Sequence, residues 1–168
     1  MAPPLSRDRL AALVATELLR AAPEAIDETV ERALGDVARH VSADRAYYYR
    51  LDADAFALAH EWYAPGLAPM RDRARFARLP VTILPEPFLA TLRRGQAIAL
   101  PRARGQLAAP VLDIVSPDGD RALAIVPVLL GGALLGVAGF AAAREAPWAA
   151  EDVELVEVVA QGVARAVE

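Results

Sequence analysis

The segment ALAIVPVLLGGALLGVAGFAAA, residues 122–143, decides the fold. It carries no charge and is long enough to cross a bilayer as a helix. Pro127 and the pair Gly131-Gly132 oppose that reading. A proline inside a helix removes a hydrogen bond and clashes with the preceding turn, whereas two adjacent glycines supply the positive-φ positions of a tight hairpin. The segment is therefore read as two fully buried strands, residues 122–129 and 133–142, with no insertion into a membrane; a membrane-spanning helix stays as the alternative reading.

Working outward, residues 150–167 carry Val153, Val156, Val159, Val163 and Val167 at helical spacing and form a C-terminal helix. Upstream, residues 106–115 suit a short helix and residues 96–100 a short strand. Residues 85–94 suit a helix closed by Gly95, with Pro87 confined to its first turn. Residues 64–84, broken by Pro65, Gly66, Pro69 and Pro80, form mostly loop with a helical turn near 70–78. Residues 45–51 and 56–63 are strand-like and flank the polar connection Asp52-Ala53-Asp54-Ala55. Pairing Leu51 with Phe56 puts Tyr47, Tyr49, Leu51, Phe56, Leu58, His60 and Trp62 on one face. Ala46, Tyr48, Arg50, Ala57, Ala59 and Glu61 then share the other. Two helices come first: residues 6–22, capped by Ser6 and striped by Leu10, Leu13, Val14 and Leu18, and residues 24–41, striped by Ile26, Val30, Leu34, Val37 and Val41.

The chain of 168 residues is the size of one domain, and its composition removes whole classes of chemistry. It lacks Cys, Lys and Asn. Without Cys there is no thiol nucleophile, Cys-ligated metal, disulfide couple or thioether-linked chromophore; without Lys there is no Schiff base and no P-loop lysine. The net charge of −4 hides a basic island. Residues 71–104 hold eight arginines (Arg71, Arg73, Arg75, Arg78, Arg93, Arg94, Arg102, Arg104) against Asp72 and Glu86. Overall acidity and the lack of interleaved aromatics argue against nucleic acid. Solvated arginines and a cover over an anionic small molecule remain as readings. The N-terminus MAPPLSRDRL has no apolar core of the signal-peptide kind, which places the chain in the cytoplasm.

No catalytic constellation stands in the sequence. Ser6, Ser42 and Ser116 lie in no nucleophile elbow, and His40 and His60 lack metal-ligand spacing. The glycines of residues 131–136 precede a strand rather than a helix N-terminus, so they make no phosphate loop. Asp118-Gly119-Asp120 is followed by too few oxygen ligands for calcium. The chain is expected to be neither an enzyme nor a metalloprotein.

The remaining signal is the element order together with Ser42-Ala43-Asp44-Arg45-Ala46, Leu51-Asp52-Ala53-Asp54 and His60-Glu61-Trp62-Tyr63-Ala64-Pro65-Gly66. Downstream come Leu92-Arg93-Arg94-Gly95, residues 121–128, residues 134–140 and Trp148 with Glu151-Asp152-Val153-Glu154-Leu155. In these segments the chain resembles a GAF domain, a small regulatory domain common in bacterial signalling proteins such as histidine kinases of two-component systems and diguanylate cyclases. It departs from the family at Ala149, where a Ser or Thr often caps the last helix, and at Ala55, where the first hairpin often has glycine. The resemblance implies an α+β fold. A central antiparallel sheet would carry the N- and C-terminal helices on one face and a pocket of loops and short helices on the other. Residues 1–23 would form a dimerisation or linker helix and residues 24–168 the GAF-like domain. The free methionine sulfoxide reductases and the covalent bilin proteins of this kind use cysteines, which this chain lacks.

A sensor is what the resemblance implies: a small molecule, anionic or aromatic and held without a covalent bond, would reorder the proline-rich excursion and shift the terminal helices of a homodimer toward an output domain or partner protein. The pocket residues expected are Tyr47, Tyr49, His60 and Trp62 from the hairpin, Phe76 and Phe88 from the excursion, and Arg94 and Arg121. The rings would stack on a planar ligand and the guanidinium groups would fork onto its carboxylate or phosphate. Two alternatives stay open: a collapsed pocket in a domain that only dimerises, and a PAS-like sensor with a different strand order.

Overall fold

The computed structural model describes residues 3–102, 106–107, 122–144 and 148–167. In chain order the elements are α1 (Arg7–Arg20), α2 (Ile26–His40), β1 (Arg45–Asp52), β2 (Ala55–Tyr63), α3 (Ala74–Ala77), β3 (Arg78–Pro80), α4 (Glu86–Arg93), β4 (Ile98–Leu100), β5 (Ala122–Leu130), β6 (Ala133–Ala142) and α5 (Ala150–Val167). No described helix is long and apolar enough to cross a membrane. The helix expected over residues 106–115 lies almost wholly outside the described residues, as does Arg121.

Residues 122–142 are a hairpin, as the paired glycines predict. Leu130 faces Ala133 across Gly131 and Gly132, whose φ angles of 58° and 82° suit residues without a Cβ. Pro127 is tolerated because β4 pairs only with Leu123 to Ile125, so at Pro127 β5 has a strand on one side alone. The six described strands run in the order β3-β2-β1-β6-β5-β4, with antiparallel pairing throughout. β1, which follows directly from α2, is central and pairs with both β2 and β6.

Each face of the sheet carries its own core. On one face Ala46, Tyr48, Val126, Val128, Ala138 and Phe140 pack against Leu10, Val14 and Leu18 of α1, Val30, Leu34 and Val37 of α2, and Val156, Val159 and Val163 of α5. Burying each large aliphatic side chain contributes roughly 1.5–3 kcal/mol. The Ser6 hydroxyl accepts from Arg9 N and caps α1. α2 ends with Ser42 at φ 59°; Ser42 N donates to Arg39 O and Ala43 N to Ala38 O, the two bonds that close a helix C-terminus through a left-handed residue. On the other face Tyr47, Tyr49, Phe56, Leu123, Ile125 and Val137 meet Met70, Phe76, Leu79, Leu84, Leu89 and Leu92 from the excursion between β2 and β4.

The excursion is more ordered than its prolines suggest. Residues 78–80, expected as loop, form β3 on the sheet edge, with Phe56 opposite Leu79. Three residues are too few for periodicity to reveal a strand, and Pro80 is acceptable there because the outer side of an edge strand needs no donor.

Candidate functional site

The face opposite the helices is built by alternation along β1, which sends Tyr47 and Tyr49 toward the excursion and Tyr48 toward the helices. The expected continuation onto β2 is corrected by a bulge. Tyr48 pairs with His60 but Tyr49 with Leu58, so Ala59 is one residue more than β1 can match. Beyond Ala59 every side chain changes face. His60 and Trp62 therefore lie on the helix side, opposite Tyr48 and Ala46, while Glu61 lies opposite Tyr47 on the excursion side.

The helix-side pair has local roles. The His60 ring stacks on Tyr48 at 6.2 Å between centroids, and His60 Nε2 shares a 2.8 Å hydrogen bond with Asp27 Oδ1 on α2. Trp62 lies against Gly35, where an added Cβ would meet its Cδ1 at 2.6 Å, and under the Arg39 guanidinium at 5.5 Å. Neither residue lines the cavity on the other face.

That cavity is lined by Tyr47, Tyr49 and Phe56 of the hairpin, Ile125 and Val137 of β5 and β6, and Met70, Leu79, Ile83 and Leu84 of the excursion. Its volume is about 30 Å³, enough for a water-sized guest. Tyr47 and Tyr49 meet edge to face at 5.5 Å. The Tyr49 hydroxyl donates to Phe76 O at 2.8 Å, fastening α3 over the site. Burial pushes the Tyr49 phenol well above its ordinary range, and Tyr47 and Glu61 push in the same direction. The Tyr47 ring lies over Gly139, where an added Cβ would sit 2.1 Å from Tyr47 Cε2. Phe76 is fully buried in the same cluster and Phe88 of α4 packs against it half-buried.

The excursion is held by two charged side chains that the sequence reading did not single out, both nearly inaccessible. Arg45, 1% exposed, donates from Nη2 to Ala68 O at 2.8 Å. Glu61, 3% exposed, accepts from Met70 N at 2.9 Å, Arg71 N at 3.1 Å and Arg71 Nε at 3.0 Å. Arg71 also donates to Glu31 of α2 at 2.6 Å, so one guanidinium joins the excursion to the helix layer. Buried charges require such partners, and these make Met70 a fixed part of the cavity wall. The only available signal was parity: a Glu expected among small residues on a buried strand needs a partner, and the bulge supplies one.

The basic island has other occupations. Arg78 bonds Asp52 at 2.8 Å, Arg75 and Arg73 lie 4.6 and 5.8 Å from the Phe76 ring centroid, and exposed Arg94 donates to Thr91 Oγ1 at 3.2 Å. None of these arginines lines the cavity. Among the described residues no group of His, Asp and Glu is arranged to hold a metal ion.

A second concavity of about 530 Å³, open to solvent, lies on the far side of the molecule between α1 and α5. Leu18, Leu19, Ile26, Glu157, Val158, Gln161 and Arg165 are among its lining residues. Leu19 is 81% and Val158 52% exposed, unusual for large apolar side chains.

Several solved structures share this fold. The chromophore-binding domain of an unusual bacteriophytochrome from R. palustris matches with a TM-score of 0.78 at 16% identity over 95% of this chain, which spans 59% of that protein. The phycocyanobilin-bound GAF domain of a cyanobacterial phytochrome matches with a TM-score of 0.78 at 10% identity, over 97% of this chain and 94% of that one. The GAF domain of an Acinetobacter phosphoenolpyruvate-protein phosphotransferase gives 0.74 at 12% identity, over 94% and 90%. No curated protein sequence matches the chain. Residues 25–167 match the GAF domain family, which replaces the PAS-like alternative. With the sheet order, the central β1 and the match over most of its length in agreement, this chain belongs to the GAF domains, a family of regulatory sensor domains that bind small molecules.

Proposed function

We propose that the chain is a non-catalytic sensor that receives a small molecule, without a covalent bond, in the cavity between Tyr47, Tyr49 and the excursion. The observation that carries this reading is the construction of the cavity wall. Met70 lines the site while its own amide is held by Glu61, and the adjacent Arg71 reaches Glu31 of α2. A guest that moved Met70 would pull on a chain of charge-assisted bonds ending in the helix layer. Phe76 and Phe88 support the wall from behind, while His60 and Trp62 serve the sheet's contact with α2.

The output runs through α1 and α5 of a homodimer to a signalling domain or partner protein. Exposed Leu19 and Val158 beside Glu157 and Arg165 suit a two-fold contact in which each Glu157 faces the other subunit's Arg165. The small cavity volume favours one second reading, a domain that dimerises without a ligand. Native mass spectrometry of the purified chain, compared with the denatured chain, separates the two. A dimer carrying an additional mass that is lost on denaturation supports the sensor. A dimer of bare chains after a thermal-shift screen of metabolites supports the second reading, and a bare monomer counts against both.

A further inference from the structure

We propose that the cavity takes a small, neutral, largely apolar molecule, and that the guest enters by displacing the excursion wall at Ile83 and Leu84; this rests on the cavity being the sensory site. The described lining is apolar apart from two phenols, and Tyr49 already donates its hydroxyl to Phe76 O. Among the described residues no charged side chain lines the cavity. The arginines nearest in sequence are committed elsewhere: Arg71 to Glu61 and Glu31, Arg78 to Asp52, Arg75 to the face of Phe76. An anion in the cavity would lose its hydration and meet no counter-charge among the described lining residues, the costliest form of burial. A neutral ring would trade water for the rings of Tyr47, Tyr49 and Phe56.

The walls differ in how firmly they are held. Tyr47 and Tyr49 lie on a strand paired on both sides, and Ile125 and Val137 are also within the ladder. Ile83 and Leu84, by contrast, lie outside the ladder in one tight turn, closed by a 3.3 Å bond from Leu84 N to Val81 O and tied to the hairpin through Val81 N, which donates to Asp54 O at 2.9 Å; Ile83 is half-buried and Leu84 buried. Space for a ring, on the order of 150 Å³ in a dry apolar cavity, is therefore gained on the excursion side.

The test is titration of the 15N-labelled full chain with indole and with indole-3-carboxylate, the same ring without and with a charge, followed by amide shifts. Indole is expected to move the signals of Tyr49, Ile83, Ile125 and Val137, and the carboxylate to need about tenfold or more higher concentration for the same shifts. A carboxylate that saturates those signals at equal or lower concentration overturns the neutral class and leaves the sensory site standing. Neither compound moving them overturns the site and the class together. Ile83→Ala, at a half-buried turn position that leaves the sheet core intact, is expected to tighten indole binding about threefold by opening the wall. Unchanged or weaker binding overturns entry through the excursion.

Discussion

The Tyr47 ring rests on the bare Cα of Gly139, and that contact predicts a sharp non-additivity. In Gly139→Ala the new Cβ would lie 2.1, 2.4 and 2.6 Å from Tyr47 Cε2, Cζ and Oη, well inside contact distance. The ring has little room to retreat, because the neighbouring cavity is only about 30 Å³. Overpacking of this kind costs about 1–3 kcal/mol, offset in part by about 0.5–1 kcal/mol that Ala gains over Gly in a strand. A net loss of about 1–2 kcal/mol is expected. Tyr47→Ala alone removes a buried aromatic and costs about 3–5 kcal/mol. In that background Gly139→Ala meets no ring, so its effect should reverse to a gain of about 0.5–1 kcal/mol. The coupling between the two sites is then about 1.5–3 kcal/mol, measurable by urea unfolding of the four proteins followed by far-UV circular dichroism. A coupling below about 0.5 kcal/mol, where distant sites ordinarily fall, would refute the reasoning.

Glu61→Gln replaces Oε2 with an NH2 group facing Met70 N, setting donor against donor in a buried site. Its cost should be about 1–3 kcal/mol by urea unfolding, with faster proteolysis confined to residues 64–72. Tyr49→Phe loses the bond to Phe76 O and about 1 kcal/mol at neutral pH. Because burial raises the folded-state Tyr49 pKa above its unfolded value, that tyrosine's stabilisation is complete below about pH 10 and is lost as pH rises beyond it. Wild type should therefore lose stability above about pH 10 more steeply than Tyr49→Phe in paired unfolding curves. Ser42→Gly should raise stability by about 1 kcal/mol, since Ser42 holds a left-handed conformation that glycine adopts without strain.

Much of the architecture was legible because long apolar patterns leave little freedom. The Val153-to-Val167 stripe fixed α5 at the bounds observed, and Pro127 with Gly131-Gly132 converted a membrane-length apolar run into a central hairpin. What escaped was short or set by tertiary context. β3 has three residues and exists because Leu79 can pair beside Phe56. The basic island was visible as a charge count, yet Arg71, Arg78 and Arg75 face Glu61, Glu31, Asp52 and the Phe76 ring, partners that lie up to 40 residues away in sequence.

The site was half legible for one reason, and that reason is the bulge. Strict alternation correctly grouped Tyr47, Tyr49 and Phe56, but a single extra residue at Ala59 inverts everything beyond it. Alanine gives no warning, since it is acceptable on either face and at the bulge itself. The inversion also makes the arrangement chemically consistent. Without it Glu61 would turn to the helix side, away from the amides of Met70 and Arg71, while His60 and Trp62 would turn to the cavity face. With it, His60 reaches Asp27 of α2 on one side of β2, and Glu61 reaches Met70 and Arg71 on the other. Consecutive residues of one strand thus grip the helix layer and the excursion, so a displacement of the Met70 side of the cavity wall would act on the same short stretch of backbone that contacts α2.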